Sequence, residues 1–463
     1  MNPNKSAKQP TRYTHEGAVA AKITPYDELY RSVMACLLFE DNFYEDGESI
    51  SDRIQGLVQK VNNQKVLDLI KEAKFKMYLR HAPLLLAKAL INKDENFRKN
   101  VRPVLASIMK RPDDLTAFLS LYWADGKKPI PASVKKAFVE ALNKFDEYQL
   151  AKYKQDDKVI KLRDIVKLVH PTGNVELFDK LCKGELNTPD TWEVAISAIS
   201  KNDPEYATKI KEAWTRLIVE NRLGALAFLR NIRNMDNANV GKALIKEKMS
   251  ELKVNKIFPY QFISAARNNP NYEDELEKLF FKAFESTTKL KGETAVLVDV
   301  SGSMNWGMSN KSQMTRMDSA CSLTMIAREI CENPYIFSFS DRTVLVPNRR
   351  GFALRDAIVN SQPHSGTELF KSVVNVCKAL KQGEKLDRMI IITDEQATSY
   401  GQNQAYEITK KLGIPVYVLN VSTYQNGIGY RDNWVNISGF SDKVFDYIIA
   451  REGLENTQAV DED

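Results

Sequence analysis

The sequence predicts two architectures in one chain: an all-α region of stacked helical hairpins, then an α/β doubly wound domain. Three observations predict it. From about residue 26 to 287, apolar residues recur at three- and four-residue steps. Beyond about residue 290, short β-rich runs alternate with amphipathic segments, and the runs are continuously apolar, as parallel strands covered on both faces are. At 463 residues the chain exceeds one ordinary core, so two or three domains are expected.

Residues 1–25 are polar and are expected to form a flexible N-terminal arm. In the helical region, "KVLDLIKEAKFKMYLRHAPLLLAKALI" (65–91) has helical spacing throughout, and 133–154 places Val134, Phe138, Leu142 and Phe145 on one face. Prolines at 103, 112, 129, 131, 171, 189, 204, 259 and 270 are read as punctuating turns. No strict repeat shows, so the hairpins are expected to stack irregularly. The pattern changes at "STTKLKGET" (286–294), which divides a helical domain, 26–287, from an α/β domain, 292–463. The expected strands are 294–300, 335–340, 343–347, 388–394 and 414–421, with helices over 313–331, 368–381 and 403–412 between them.

With 43% hydrophobic and 27% charged residues, the composition is that of a globular protein. No apolar run approaches the roughly 18 residues of a transmembrane helix, and the first twenty residues lack an apolar signal core. The five cysteines include no C-x-x-C pair and the four histidines are scattered, so neither a disulfide framework nor a zinc site is expected, and a cytoplasmic setting fits. Charge is uneven: residues 1–290 hold 48 Lys/Arg against 39 Asp/Glu, whereas 291–463 hold 18 against 21. This asymmetry points the front region toward a polyanion, nucleic acid or an acidic surface. A merely solvated helical surface is the alternative.

In the α/β part, "LVDVSGSM" (297–304) ends a buried strand in Asp-x-Ser-x-Ser. Ligands of doubly wound sheets bind beyond the carboxyl ends of the strands. Alternate spacing sends Asp299, Ser301 and Ser303 toward one point, with Gly302 relaxing the turn. "SGTE" offers Thr367, and "IITDE" offers Asp394 at another strand end. The one carboxylate and two hydroxyls of the 299–303 loop are hard oxygen ligands, too few in charge for calcium and suited to Mg²⁺ with waters retained. A capping turn is the alternative for the Asp-x-Ser-x-Ser segment taken alone.

Enzyme classes find little purchase. A haloacid-dehalogenase phosphatase needs a second aspartate where Ser301 stands, and no G-x-x-x-x-G-K-[ST], G-x-S-x-G or H-E-x-x-H segment occurs. His364 lies in a loop and is read as a surface residue, not as a base for either serine. These five oxygen ligands resemble, position by position, the metal-ion-dependent adhesion site of the von Willebrand factor A domain. That resemblance implies a Rossmann-like fold and a binding site, not a catalytic one, whose metal keeps a place for an acidic partner group.

In the front region a helix is expected from about Lys158 to Leu168, with Val159, Leu162, Val166 and Val169 on its apolar stripe. Lys154, Lys158, Lys161 and Lys167 lie off the stripe. His170 precedes Pro171 and so ends the helix, where it can hydrogen-bond or stack on a base. In "ALAFLRNIRNM", Arg230, Arg233 and Asn234 share a face, a phosphate-and-base vocabulary. The alternatives are solvated or structural roles for each.

"LLFEDNFYEDG" (37–47), "LAKYKQ" (150–155) followed by "RDIVKLVHP" (163–171), "TWEVAIS" (191–197), "NRLGALAFLRNIRNM" (221–235) and "IFPYQFISAA" (257–266) resemble the TROVE module of Ro autoantigens, in family order. The resemblance implies a ring of HEAT-like repeats that threads single-stranded 3′ ends of misfolded RNA and binds Y RNA on its outer surface. Lys152, Lys154 and His170 match the outer stretch. Two departures stand out: 37–47 is acidic, and Asp156 stands where relatives often carry arginine. The expected protein is therefore cytoplasmic, monomeric, non-enzymatic and RNA-binding, acting in RNA quality control. A 3′-exonuclease such as polynucleotide phosphorylase, tethered through Y RNA, is implied by resemblance only. The rival is a protein-interaction adaptor whose A domain grips an acidic side chain.

Overall fold

A computed structural model describes residues 13–453 except 15, 21–22, 36–46, 154–157, 255–256, 309–312, 382–383, 423–427, 429, 432 and 439–442. The segment 37–46, Lys154 and Asp156 therefore lie outside the described residues. Two compact units divide the chain. One gathers the described residues of Met1–Ala35 and Met249–Asp463, the other those of Gly47–Lys248.

The second unit is helical. The sequence "APLLLAKALI" is apolar but for Lys88, and the helix Ala82–Lys93 is correspondingly buried from Ala82 to Ile91, packed against Gly47–Lys60, Asn63–Phe75 and Pro112–Tyr122. Asn62 caps Asn63–Phe75 through its side-chain oxygen, which accepts from Gln64 N at 2.9 Å. The helix Arg98–Ile108 lies against Ala132–Leu142, and Phe118 meets Phe138 edge to face at 5.9 Å. Pro112 and Pro259 open helices as the turn reading requires, but Pro103 sits inside Arg98–Ile108.

His81, just before Ala82–Lys93, faces Arg80, Lys74, Asp113 and Asp114. Burial, then the Arg80 charge, pushes its imidazole down to about 4. As pH falls below the unfolded value near 6.5, the unfolded chain takes up a proton that the folded one refuses until about pH 4. Stability of this unit is therefore full above about pH 6.5 and declines toward pH 4. His81→Gln is expected to flatten that decline in urea melts at pH 7 and pH 5; an unchanged pH dependence would count against the assignment.

The first unit holds a seven-stranded sheet in the order β3-β2-β1-β4-β5-β7-β6. Its strands are β1 (Leu290–Asp299), β2 (Cys331–Phe339), β3 (Thr343–Leu345), β4 (Arg388–Thr393), β5 (Val416–Asn420), β6 (Tyr430–Arg431) and β7 (Trp434–Ser438). The β2-β1-β4-β5-β7 core is parallel, and β3 and β6 pair antiparallel at the edges. β4 is buried at all six residues, as its unbroken "RMIIIT" demands. The helices Arg316–Ile330, Leu369–Ala379 and Gln402–Lys411 fall where expected; Gly351–Val359, Lys443–Arg451, β6 and β7 had no sequence counterpart.

Two corrections concern this unit. The change of pattern near residue 290 marks the start of β1, but the compact unit begins earlier. Pro259–Asn268 packs on Arg316–Ile330, and Glu277 of Glu273–Phe284 accepts from Phe352 N at 2.8 Å. Nor do residues 13–20 form a flexible arm. Thr14 donates to Ala397 O at 2.9 Å, Gln402 bonds both the N–H and the carbonyl of Val19, and Ala18 is buried in the sheet's core beside Phe370 and Ala397. Farther on, Arg31 of the helix Pro25–Ala35 meets Glu395 at 2.6 Å, with both side chains buried. The segment's polarity conceals this packing, because its buried residues, Ala18 and Ala20, are small.

Candidate metal centre and nucleic-acid interface

Asp299 closes β1 because parallel pairing to β2 and β4 runs out there. Its buried carboxylate accepts from Ser301 N at 2.9 Å and from the Thr393 hydroxyl at 2.6 Å. The Ser301 and Ser303 hydroxyls lie 3.3 Å apart. Gly302 N donates to Ser365 O at 3.0 Å, tying this loop to the one carrying Thr367. Gly302 has no positive φ, and a Cβ there would meet nothing nearer than 3.5 Å, so the turn does not depend on glycine. Thr367 O accepts from Thr398 N at 3.3 Å, which joins the second loop to the third. In the third, Asp394 is buried, accepts from Gln396 N at 3.2 Å, and meets the Arg316 guanidinium at 3.0 Å.

Three hydrogen-bonded loops thus bring the five expected oxygen ligands to the carboxyl edge of the sheet. Burial, then the Asp394 charge, pushes the Asp299 carboxyl well above the usual carboxylate range. A site that crowds two buried carboxylates and lines them with hydroxyls suits a hard divalent cation, which relieves that repulsion. Among the described residues, no group of three or more His, Cys, Asp or Glu is arranged to hold a metal. A cation here would therefore rest on Asp299, Ser301, Ser303, Thr367 and Asp394, with water.

Several contributors had no sequence signal. Asp341 accepts from Gly366 N at 2.8 Å and from the Ser365 hydroxyl, which fixes the Thr367 loop and holds the Asp341 carboxyl below its usual range. Thr393 and Arg316 are the others. His364 is half-buried: its Nε2 donates to Val359 O at 2.9 Å and its Nδ1 accepts from the Asn305 amide at 3.1 Å. Both ring nitrogens are engaged, so neither is available as a base toward the serines.

In the helical unit, the expected helix 158–168 is Leu162–Val169, burying Leu162, Ile165 and Val166. Lys161 N instead donates to Asp164 at 2.9 Å, which sets the helix start, and Val159 stands 98% exposed, outside the stripe assigned to it. His170 ends the helix in left-handed backbone, φ +47°, with its N–H on Val166 O and its ring exposed. Lys152 and Lys158 are exposed and Lys161 half-exposed. Lys152 lies 5.7 Å from the Tyr153 ring, which also takes Arg111 at 4.6 Å. Lys152, Tyr153 and Arg163 line a cavity of about 730 Å³ with Asn187, Thr188 and Val194.

On the helix Ala225–Asn237, Phe228, Leu229, Ile232 and Met235 are buried, and Arg230, Arg233 and Asn234 are exposed. The Asn234 amide donates to Asn231, whose own amide donates to Ala227 O at 2.9 Å, so Asn234 serves the helix as well as its surface. This cluster, Lys152, Lys158, Lys161 and His170 belong to one unit, and the metal-type loops belong to the other.

Residues 294–448 match the family model described as the Ro60 vWA domain. The fold as a whole is similar to the crystal structure of the Deinococcus radiodurans Ro (RSR) protein, at 17% identity and a TM-score of 0.64, over 92% of this chain and 99% of that one. Solved structures of BatB from Bacteroides thetaiotaomicron (14% identity, TM-score 0.27, 35% of this chain and 97% of that one) and of an aerotolerance-related membrane protein from Bacteroides fragilis (15%, 0.26, 36% and 99%) also align. No curated protein sequence matches. Among the described residues no helix is long and apolar enough to cross a membrane. The chain has the fold of a Ro protein, a helical region followed by a vWA domain.

Proposed function

We propose that this chain is a non-enzymatic, cytoplasmic RNA-binding protein of the Ro type, taking Y RNA and the 3′ ends of misfolded RNA in RNA quality control. The carrying observation is the exposure of Lys152, Lys158 and His170 within a Ro-like fold. Lysine ammonium groups suit phosphates, and the exposed His170 ring at a helix end suits a base or sugar edge. The engaged nitrogens of His364 support the non-enzymatic part. At the other unit, the five oxygen ligands would hold Mg²⁺, which supplies a coordination place for an acidic group. A 3′-exonuclease such as polynucleotide phosphorylase, brought by Y RNA, fits this reading as a partner.

Each Lys–phosphate contact adds roughly 0.9 to the slope of log affinity against log salt on a duplex, less on single strands. Lys152→Ala with Lys154→Ala is expected to weaken structured-RNA binding and to flatten that slope by about 1–2 units. His170→Ala should weaken binding with little change of slope. Hairpins carrying a free single-stranded 3′ tail are expected to bind more tightly in gel shifts than blunt ones. A folded lysine double mutant with native affinity and slope would sink the surface assignment. Purified protein with no excess absorbance at 260 nm and no RNA affinity would favour the adaptor reading instead.

A further inference from the structure

Arg316 is not explained by the fold alone. It is the first residue of the helix Arg316–Ile330, only 2% exposed, yet it carries a fixed charge. Burying an ion costs several kcal/mol unless a partner compensates. Its Nη1 reaches Asp394 Oδ2 at 3.0 Å, and Asp394 is fully buried. Its backbone is set by the loop that carries the two serines: Arg316 N donates to Trp306 O at 3.0 Å, and Met308 N donates to Met314 O at 2.8 Å. Thr315 caps the helix by accepting from Asp318 N, and Arg267 pairs with Asp318. The guanidinium is thus delivered to the metal-type edge by construction.

We propose that Arg316 is an internal counter-cation of the metal centre, holding Asp394 in place without an ion and lowering the site's affinity for divalent cations by competing for that carboxylate. The proposal rests on the metal reading of Asp299, Ser301, Ser303, Thr367 and Asp394. When a cation ionises both carboxylates, the Arg316 guanidinium offsets one of their two negative charges; without Arg316 the cation meets both. The site is then self-sufficient at low Mg²⁺ and fills only as the ion becomes abundant. Arg316 is a positioning residue, since it acts through Asp394.

The test is Mg²⁺ titration calorimetry on the full chain, with thermal melts in EDTA and in Mg²⁺. Arg316→Gln keeps a donor near Asp394 and removes the charge. It is expected to bind Mg²⁺ at least about tenfold more tightly than the native chain, as loss of a nearby like charge predicts. Its melting temperature in EDTA should fall, and Mg²⁺ should raise it by more than it raises the native one. Arg316→Lys, which keeps the charge, should stay near native affinity. Equal or weaker binding by Arg316→Gln, with Asp299→Asn abolishing binding in both backgrounds, overturns the proposal and leaves the metal centre standing. If no form binds Mg²⁺, the metal reading falls and takes this one with it. A glutamine variant that stays unfolded in saturating Mg²⁺ also overturns it, because the ion should then replace the missing charge.

Discussion

Arg31→Met is expected to destabilise the α/β unit by about 3–5 kcal/mol, the cost of breaking a buried ion pair from one side. Arg31 and Glu395 are 1% and 0% exposed, so water cannot replace the lost partner. Glu395 keeps Ile428 N at 3.1 Å and the Asn420 amide, which are dipoles and do not neutralise it. It also sits at φ +61°, left-handed backbone that costs a non-glycine residue and persists only where neighbours enforce it. Urea melts followed by tryptophan fluorescence would measure the loss. The double change Arg31→Met with Glu395→Gln should recover much of it, because it removes both buried charges together. A single mutant within about 1 kcal/mol of native would show that the pair is not the clamp it is taken to be here.

The second large effect concerns the metal. Asp299→Ala with Asp394→Ala is expected to abolish Mg²⁺ binding by calorimetry and to erase any Mg²⁺-dependent rise in melting temperature. RNA affinity should be unchanged, since neither residue belongs to the helical unit. The double mutant removes the Asp394 carboxylate that Arg316 meets, so its folding must be confirmed by circular dichroism. Asp299→Asn is the gentler companion. Because burial and Asp394 both disfavour the Asp299 charge, this change should raise stability in EDTA while still abolishing the response to Mg²⁺. Undiminished Mg²⁺ binding in the double mutant would remove the site from these loops.

The parts legible in sequence were those whose pattern is enforced locally. β1 from Ala295 to Val298 and β4 from Met389 to Ile392 are unbroken apolar runs, and a strand segment buried on both faces has no other way to be written. The Asp-x-Ser-x-Ser spacing and the strand-end Asp394 were readable because strand ends fix where a side chain emerges. β7 was missed because "WVNIS" mixes Asn and Ser into five residues, although Trp434 and Ile437 are buried. The helix from 158 was drawn too early because Val159 fits the apolar period, and nothing local says that it faces water. Arg316 was illegible: an arginine at the start of a helix usually reaches solvent, and only the return of the 301–315 loop turns it inward. The same holds for Arg31, whose partner lies 364 residues away.

That separation has a consequence for how the molecule is made. Thr14, Val19 and Arg31 leave the ribosome well before their partners, since each waits for residues more than 360 positions downstream. At translation speeds of about 5–20 residues per second, the delay is about 20–80 s. During it the leading segment has no slot to occupy, and the helical unit between emerges and can compact by itself. The α/β unit closes only when β4 and the residues after it arrive, so closing it joins segments made far apart in time. Anything that seizes the leading end in that interval, whether a chaperone, a protease or a bulky N-terminal fusion, competes directly with completion of the sheet's core.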